Sequence, residues 1–154
     1  MVKKVSEVLG IAIKREEDAY TFYMEMHGSA SEPGVKESLE LMAKEEKKHK
    51  VFLERYRDGG LKAEALRSSD VVDYKVAEYL EEPELDSNSK PEDVFLVAAH
   101  REQRAHEFYK AFAAAHPDGE LRHLLLKMAD EELRHKEKVE YLYSNTAFPQ
   151  TSGG

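Results

Sequence analysis

An all-α fold, a four-helix bundle of two antiparallel helical hairpins joined by a long crossover, is predicted by three features of this sequence. Apolar residues recur at every third or fourth position through four long segments, the period of an amphipathic helix. Clusters of Gly and Pro separate those segments. The first half of the chain is also repeated in the second, with the same residues at the same depth.

The first core-facing seam runs Val5, Leu9, Ala12, Glu16, Ala19, Tyr23, Met26. The second runs Val35, Leu39, Met42, Glu46, His49, Leu53, Tyr56, and the third runs Phe95, Ala98, Glu102, Ala105, Tyr109, Phe112. The fourth is Leu121, Leu125, Met128, Glu132, His135, Val139, Leu142. Breakers fall at 28–34, which includes Pro33, at Asp58-Gly59-Gly60, at Pro83 to Pro91, and at His116-Pro117-Asp118-Gly119. The expected organisation is one domain, 1–146, followed by a flexible tail, 147–154. The domain comprises a hairpin at 4–58, a crossover at 59–90 and a hairpin at 91–144. Ser89-Lys90-Pro91-Glu92 reads as a capping box opening the third long helix, with Pro91 in its first turn. Within the crossover, Asp70 to Leu80 is expected to form a short helix that packs Val72, Val76 and Tyr79 as a strap.

The duplication has an offset of 86 residues and needs no gap. From Glu7 to Glu54, 15 of 48 aligned pairs are identical, and every buried acid or histidine singled out here is among them. Glu46 follows Glu16, and Glu132 follows Glu102, by 30 residues. Each hairpin therefore offers the same set at the same level, and a pseudo-twofold relation between the hairpins is expected.

The chain has 154 residues, enough for one hydrophobic core, and it is 35% charged and 41% apolar, as soluble helical proteins are. Its net charge of -8 argues against nucleic acid or an anionic membrane as partner and favours a neutral, small or basic one. With no cysteine, the chain has no disulfide, no thiolate chemistry and no four-cysteine iron site, so any electron donor is external. Met1 to Val8 lacks the apolar stretch of a signal peptide, and no apolar run approaches 18 residues. A cytoplasmic protein is the expectation.

A buried, isolated carboxylate costs several kcal/mol even after relaxation, and four of them would exceed a domain stability of about 5 to 15 kcal/mol. No Lys or Arg stands on any seam. Two divalent cations would balance four carboxylates and leave both imidazoles neutral to donate a lone pair. Glu46 and His49, like Glu132 and His135, stand three residues apart, on one helical face. Two such pairs with two single Glu form the ligand set of di-iron and di-manganese carboxylate bundles. The candidate metal ligands are therefore Glu16, Glu46, His49, Glu102, Glu132 and His135. Glu16 with His49 and Glu102 with His135 are expected to belong to separate half-sites, with Glu46 and Glu132 bridging. Oxygen-rich donors with one nitrogen per ion suit two iron ions, with manganese the alternative.

Tyr23 and Tyr109 follow Glu16 and Glu102 by two helical turns and are expected to hydrogen-bond to carboxylate ligands. Tyr20 and His106 are placed at the bundle edge. Glu17, Glu45 and Glu131 lie about 100 degrees off the seam and are read as solvated. His27, His100, His116 and His123 have no histidine counterpart in the other half and are read as surface residues.

The paired Glu-x6-Tyr and paired Glu-x-x-His make the chain resemble the rubrerythrin branch of the ferritin-like superfamily, from Val5 to Tyr143. The resemblance implies a non-haem di-iron oxidoreductase that reduces hydrogen peroxide, or reacts with dioxygen, using electrons from an external donor. It also implies tyrosines bonded to carboxylate ligands. Rubrerythrins usually append a rubredoxin domain, absent here, and carry a further Glu where this chain has Ala105, whose mate is Ala19. A more symmetric six-ligand site remains, nearer bacterioferritin-like ferroxidase centres in ligand count. Ferroxidase or iron-handling activity, and a metal-stabilised bundle without catalysis, are the alternative functions. A homodimer is the expected assembly.

Overall fold

A computed structural model describes residues 4–66, 73–86 and 88–148. The described residues are helical and contain no strand, as the periodicity predicts. Four long helices, α1 (Val5–Ser29), α2 (Pro33–Arg57), α4 (Pro91–Ala114) and α5 (Glu120–Ala147), are accompanied by a one-turn helix, α3 (Val76–Tyr79). They fall into two compact units. One contains residues 4–66 and 115–124; the other contains 73–114 and 125–148.

In the first unit α1 and α2 form an antiparallel hairpin. Near the connecting turn the Lys36 ammonium donates to the His27 carbonyl at 2.9 Å, and farther along Lys50 meets Glu17 at 2.9 Å. The core between the two helices is Val8, Leu9, Ala12 and Tyr23 with Leu39, Met42, Ala43 and Leu53, all buried. Val5, expected on the seam, is half exposed at the first position of α1 and is replaced by Val8. Pro33 opens α2, where its missing N–H has no intrahelical carbonyl to satisfy. The helix closes with a Schellman motif. Gly59 takes the left-handed conformation at φ 81°, its N–H donates to Tyr56 O, and Gly60 N–H donates to Arg55 O at 2.9 Å.

The same unit holds the first part of the crossover. A 3-10 turn at Ala63–Ala65 buries Ala63 and is followed by the buried Leu66. The Ala63 N–H donates to the Glu120 carboxylate at 2.7 Å. Burial, with Glu120 hydrogen-bonded to the phenol, pushes the Tyr56 hydroxyl up to about 12. Here too His116 is buried at 6% exposure, which corrects its assignment to the surface.

In the second unit α4 and α5 also run antiparallel. His106 Nδ1 contacts the Ala129 carbonyl at 2.7 Å, and His135 lies beside Glu102. Phe95, Ala98, Ala99, Tyr109 and Ala113 of α4, with Leu125, Met128, Ala129 and Val139 of α5, are buried. The opening of α4 departs from the expected capping box by one residue. Ser89 Oγ accepts from the Asp86 N–H, and Asp93 reaches back to the Lys90 N–H at 3.3 Å, so Lys90 is the cap and Glu92 is not its partner.

The second part of the crossover is a strap. Of the expected helix from Asp70 to Leu80, residues 70–72, Val72 among them, lie outside the described residues. Among the rest the helix spans Val76–Tyr79, because Lys75 adopts the left-handed conformation at φ 55° and Asp73 Oδ1 accepts the Lys75 N–H. Tyr79 is 82% exposed, and Ala77 is the residue that packs. The strap is pinned at four points. Ala77 N–H donates to Glu140 at 2.8 Å, and Lys136 bonds Asp73, Glu78 and Glu140. Leu80 O contacts His100 Nε2 at 2.8 Å, and Glu82 holds Arg104 through two bonds of 2.8 and 3.1 Å. The expected tail at 147–154 begins one residue early, since α5 includes Ala147, and 149–154 lie outside the described residues.

Lys136 and Glu140 are wholly buried, so their ion pairs are shielded from salt and leave costly vacancies when one partner is removed. Burial is the largest single influence and would raise the Asp73 carboxyl and lower the Lys136 ammonium, but the partners together outweigh it: Lys136 and the Lys75 N–H hold Asp73 below its ordinary value, and Asp73, Glu78 and Glu140 hold Lys136 above its own. Lys136→Ala is expected to cost about 3–5 kcal/mol in denaturant unfolding. The depressed Asp73 contributes stability above its ordinary pKa and loses it as pH falls through the folded value. The raised Lys136 contributes below its own ordinary pKa and loses it as pH rises through the folded value. The stability lost in Lys136→Ala should thus be flat between about pH 4 and 10 and shrink outside that window.

Candidate metal centre

The first unit brings Glu16, Glu46 and His49 into the interior of the α1/α2 hairpin, at 2%, 0% and 4% exposure. The helical period does this without special backbone geometry. Glu16 lies between Ala12 and Tyr23 on one seam, while Glu46 and His49 lie between Met42 and Leu53 on the other. His49 Nδ1 is 3.7 Å from Glu16 Oε2, and Glu46 and His49 offer ligand atoms within 4.8 Å of one another.

The second unit repeats the arrangement with Glu102, Glu132 and His135, at 3%, 2% and 1% exposure. His135 Nδ1 stands 3.9 Å from Glu102 Oε1 and 3.8 Å from Glu132 Oε2, and Glu132 and His135 also offer ligand atoms within 4.8 Å. These nitrogen–oxygen separations exceed hydrogen-bond length and suit donors that share a cation. Each hairpin thus sets two of its buried carboxylates beside one buried imidazole, an oxygen-rich set with one nitrogen that fits iron or manganese better than zinc.

Tyr23 and Tyr109 are buried at 1% and 0% exposure, on the same helices as Glu16 and Glu102. Each meets its preceding Phe edge to face, Phe22 with Tyr23 at 5.2 Å and Phe108 with Tyr109 at 5.3 Å. The two rings therefore have matching surroundings in the two hairpins. Tyr20 and His106 are half-buried, and the His106 ring is engaged with the Ala129 carbonyl.

One reading of a residue next to the ligands is corrected. Glu131, expected to be solvated, is 2% exposed and holds Arg134 through bonds of 2.7 and 3.1 Å to one carboxylate oxygen. Its mate Glu45 meets Lys48 near the surface, as Glu17 meets Lys50. The Lys136–Glu140 pair was missed altogether. The signal lay in the duplication, where Lys50 and Lys136, and Glu54 and Glu140, are identical pairs. In the first half Lys50 reaches Glu17 near the surface, and only the strap over the second half encloses Lys136.

Buried carboxylates joined by histidine at Glu-x-x-His spacing on paired helices match the ligand pattern of metal-carboxylate helical bundles. The profile of the rubrerythrin family matches residues 7–85 and 93–151, so the chain belongs to that family. It accordingly has the ferritin-like helical-bundle fold class, in a family that typically binds a pair of irons, and its Glu/His clusters could hold metal. Searches of curated proteins and of solved structures gave no match. Among the described residues no helix is long and apolar enough to cross a membrane.

Ligand present at 100 times its Kd adds about 2.7 kcal/mol of stability per site. Manganese(II) should therefore raise the melting temperature of the metal-free protein, and Glu46→Ala or Glu132→Ala should remove part or all of that rise. Two metals per chain in either variant would contradict this ligand assignment.

Proposed function

We propose that the two buried triads together hold two iron ions and that the protein reduces hydrogen peroxide with electrons from an external donor. The carrying observation is that each hairpin buries two glutamates and one histidine at matching positions, where an apolar seam is otherwise unbroken. In this reading Glu16 and His49 serve one ion, Glu102 and His135 the other, and Glu46 and Glu132 bridge. When bound, the iron pair would supply reducing electrons and positive charge to an oxygen–oxygen bond as it breaks.

The remaining work falls to the chain. Four carboxylates balance two divalent ions, so a loaded site is neutral and compatible with burial. Neutral imidazoles donate through one nitrogen and leave the other to fix ring orientation. Leu39, Met42, Leu125 and Met128, all fully buried, exclude bulk water near the ligands. In this reading Tyr23 and Tyr109, buried on the helices of Glu16 and Glu102, would hydrogen-bond to carboxylate ligands and hold their orientation. Each peroxide takes two electrons and two protons and leaves as two waters. These 154 residues contain no cysteine-based centre to refill those electrons, so the donor lies outside them. A homodimer in the cytoplasm is the proposed working form.

Rapid mixing of the diferrous protein distinguishes this activity from ferroxidase chemistry. Oxidation by peroxide should be much faster than by dioxygen, and equal rates would remove the peroxidase assignment. Tyr23→Phe and Tyr109→Phe should each slow the peroxide reaction or weaken metal binding by about 10- to 100-fold.

A further inference from the structure

The face of α2 turned away from its ligands carries a charge pattern that the bundle does not require. Leu41, Lys44, Lys48, Val51 and Arg55 succeed one another by three or four residues, which places them along one stripe. Leu41 is 45% and Val51 36% exposed, large fractions for such side chains. A groove of about 510 Å³ lies there, lined by Lys44, Lys47, Lys48 and Arg55 with Val51, Phe52 and Leu61. Four cations and no carboxylate line it, on a chain whose net charge is -8.

The duplication separates what the fold demands from what it does not. Eighty-six residues on, the positions of Lys44, Lys47, Lys48, Val51, Phe52 and Arg55 are Asp130, Leu133, Arg134, Glu137, Lys138 and Tyr141. Only one of the four cations, Lys48, has a basic counterpart, the other three giving way to Asp130, Leu133 and Tyr141, whereas Glu46 and His49 recur as Glu132 and His135. The basic stripe is therefore peculiar to α2.

We propose that this groove docks an acidic electron-donor protein through an apolar patch rimmed by carboxylates. The electron-donor role rests on the peroxidase reading above; the acidic partner rests on the groove. Lys44 meets Glu40 at 3.3 Å and Lys48 meets Glu45 at 3.1 Å, but these pairs are solvent-exposed and hold too weakly to resist exchange for a partner's carboxylates. A second copy of this chain fits poorly, because a twofold contact would set lysines against lysines. A nucleic acid would feel the repulsion of the whole acidic chain beyond the groove, while a small protein touches a limited area. The position also suits electron delivery. A helix with its side chains is about 10–12 Å across, so a partner on the outer face of α2 stands about one helix width from Glu46 and His49. The donor loses one electron per encounter, and two encounters replace the pair given to one peroxide.

The test uses an acidic [2Fe–2S] ferredoxin as probe, titrated calorimetrically into the full chain, both metal-free and iron-loaded. The expected result is salt-sensitive binding that weakens by about tenfold or more in Lys44→Glu/Lys47→Glu/Lys48→Glu. Reduction of the oxidised iron-loaded variant by ferredoxin should slow in parallel, with reduction by dithionite and iron content unchanged. The milder Lys47→Gln/Lys48→Gln pair should show the same direction if the triple variant unfolds. Absence of binding to the unaltered chain, or equal binding by the variants, would overturn the proposal. So would a change of oligomeric state confined to the variants, or preferential capture of single-stranded DNA by the groove. Binding that obeys these expectations in a protein unable to reduce peroxide would leave the groove standing and remove the peroxidase reading.

Discussion

The cost of placing carboxylates among aliphatic side chains governs this molecule. In the α1/α2 hairpin Glu16 and Glu46 are as buried as Leu9 and Leu39, and in the α4/α5 hairpin Glu102 and Glu132 are as buried as Leu125. Isolated charges in such places cost several kcal/mol each, against a whole-domain stability of about 5 to 15 kcal/mol. Packing alone would favour leucine at all four positions. A sequence that keeps acids there, and sets a histidine one turn from two of them, builds a cluster that could hold a cation.

The second unit also contains buried acid that is managed by different means. Glu140, with Asp73 and Glu78, surrounds the Lys136 ammonium, so the charge is balanced within the chain. That network ties the crossover strap to α5, the helix that also carries Glu132 and His135. The neighbours His135 and Lys136 thus have separate tasks: one offers a neutral lone pair beside glutamates, the other a permanent cation to a strap. The equivalent Lys50 remains near the surface with Glu17, so the halves share their seams and differ in what covers them.

The four long helices and the burial of all six candidate ligands were legible because both depend on local periodicity, reinforced by a gap-free repeat. Tyr23 and Tyr109 were found in the core for the same reason. What escaped were features decided by contacts between distant segments. Glu131 lies off the seam, yet Arg134 accompanies it into the interior. His116 lies in the connection between α4 and α5, whose packing has no periodic signature. The capping box failed because Asp86 competes for the Ser89 hydroxyl, leaving Asp93 to cap Lys90. Among the described strap residues the helix starts only at Val76, because Asp73 favours a turn at Lys75 over another helical turn. Net charge is an average over the chain: it argued against nucleic acid and anionic membranes, while the outer face of α2 gathers four cations around apolar residues.

The most direct measurement is the metal content of the protein purified from unsupplemented cells, by elemental analysis, with the optical spectrum followed through reduction and one equivalent of peroxide. The account predicts two irons per chain and a near-ultraviolet absorption that is bleached by reductant and restored by peroxide. Two zinc or manganese ions with no redox response, or fewer than two metals of any kind, would contradict it.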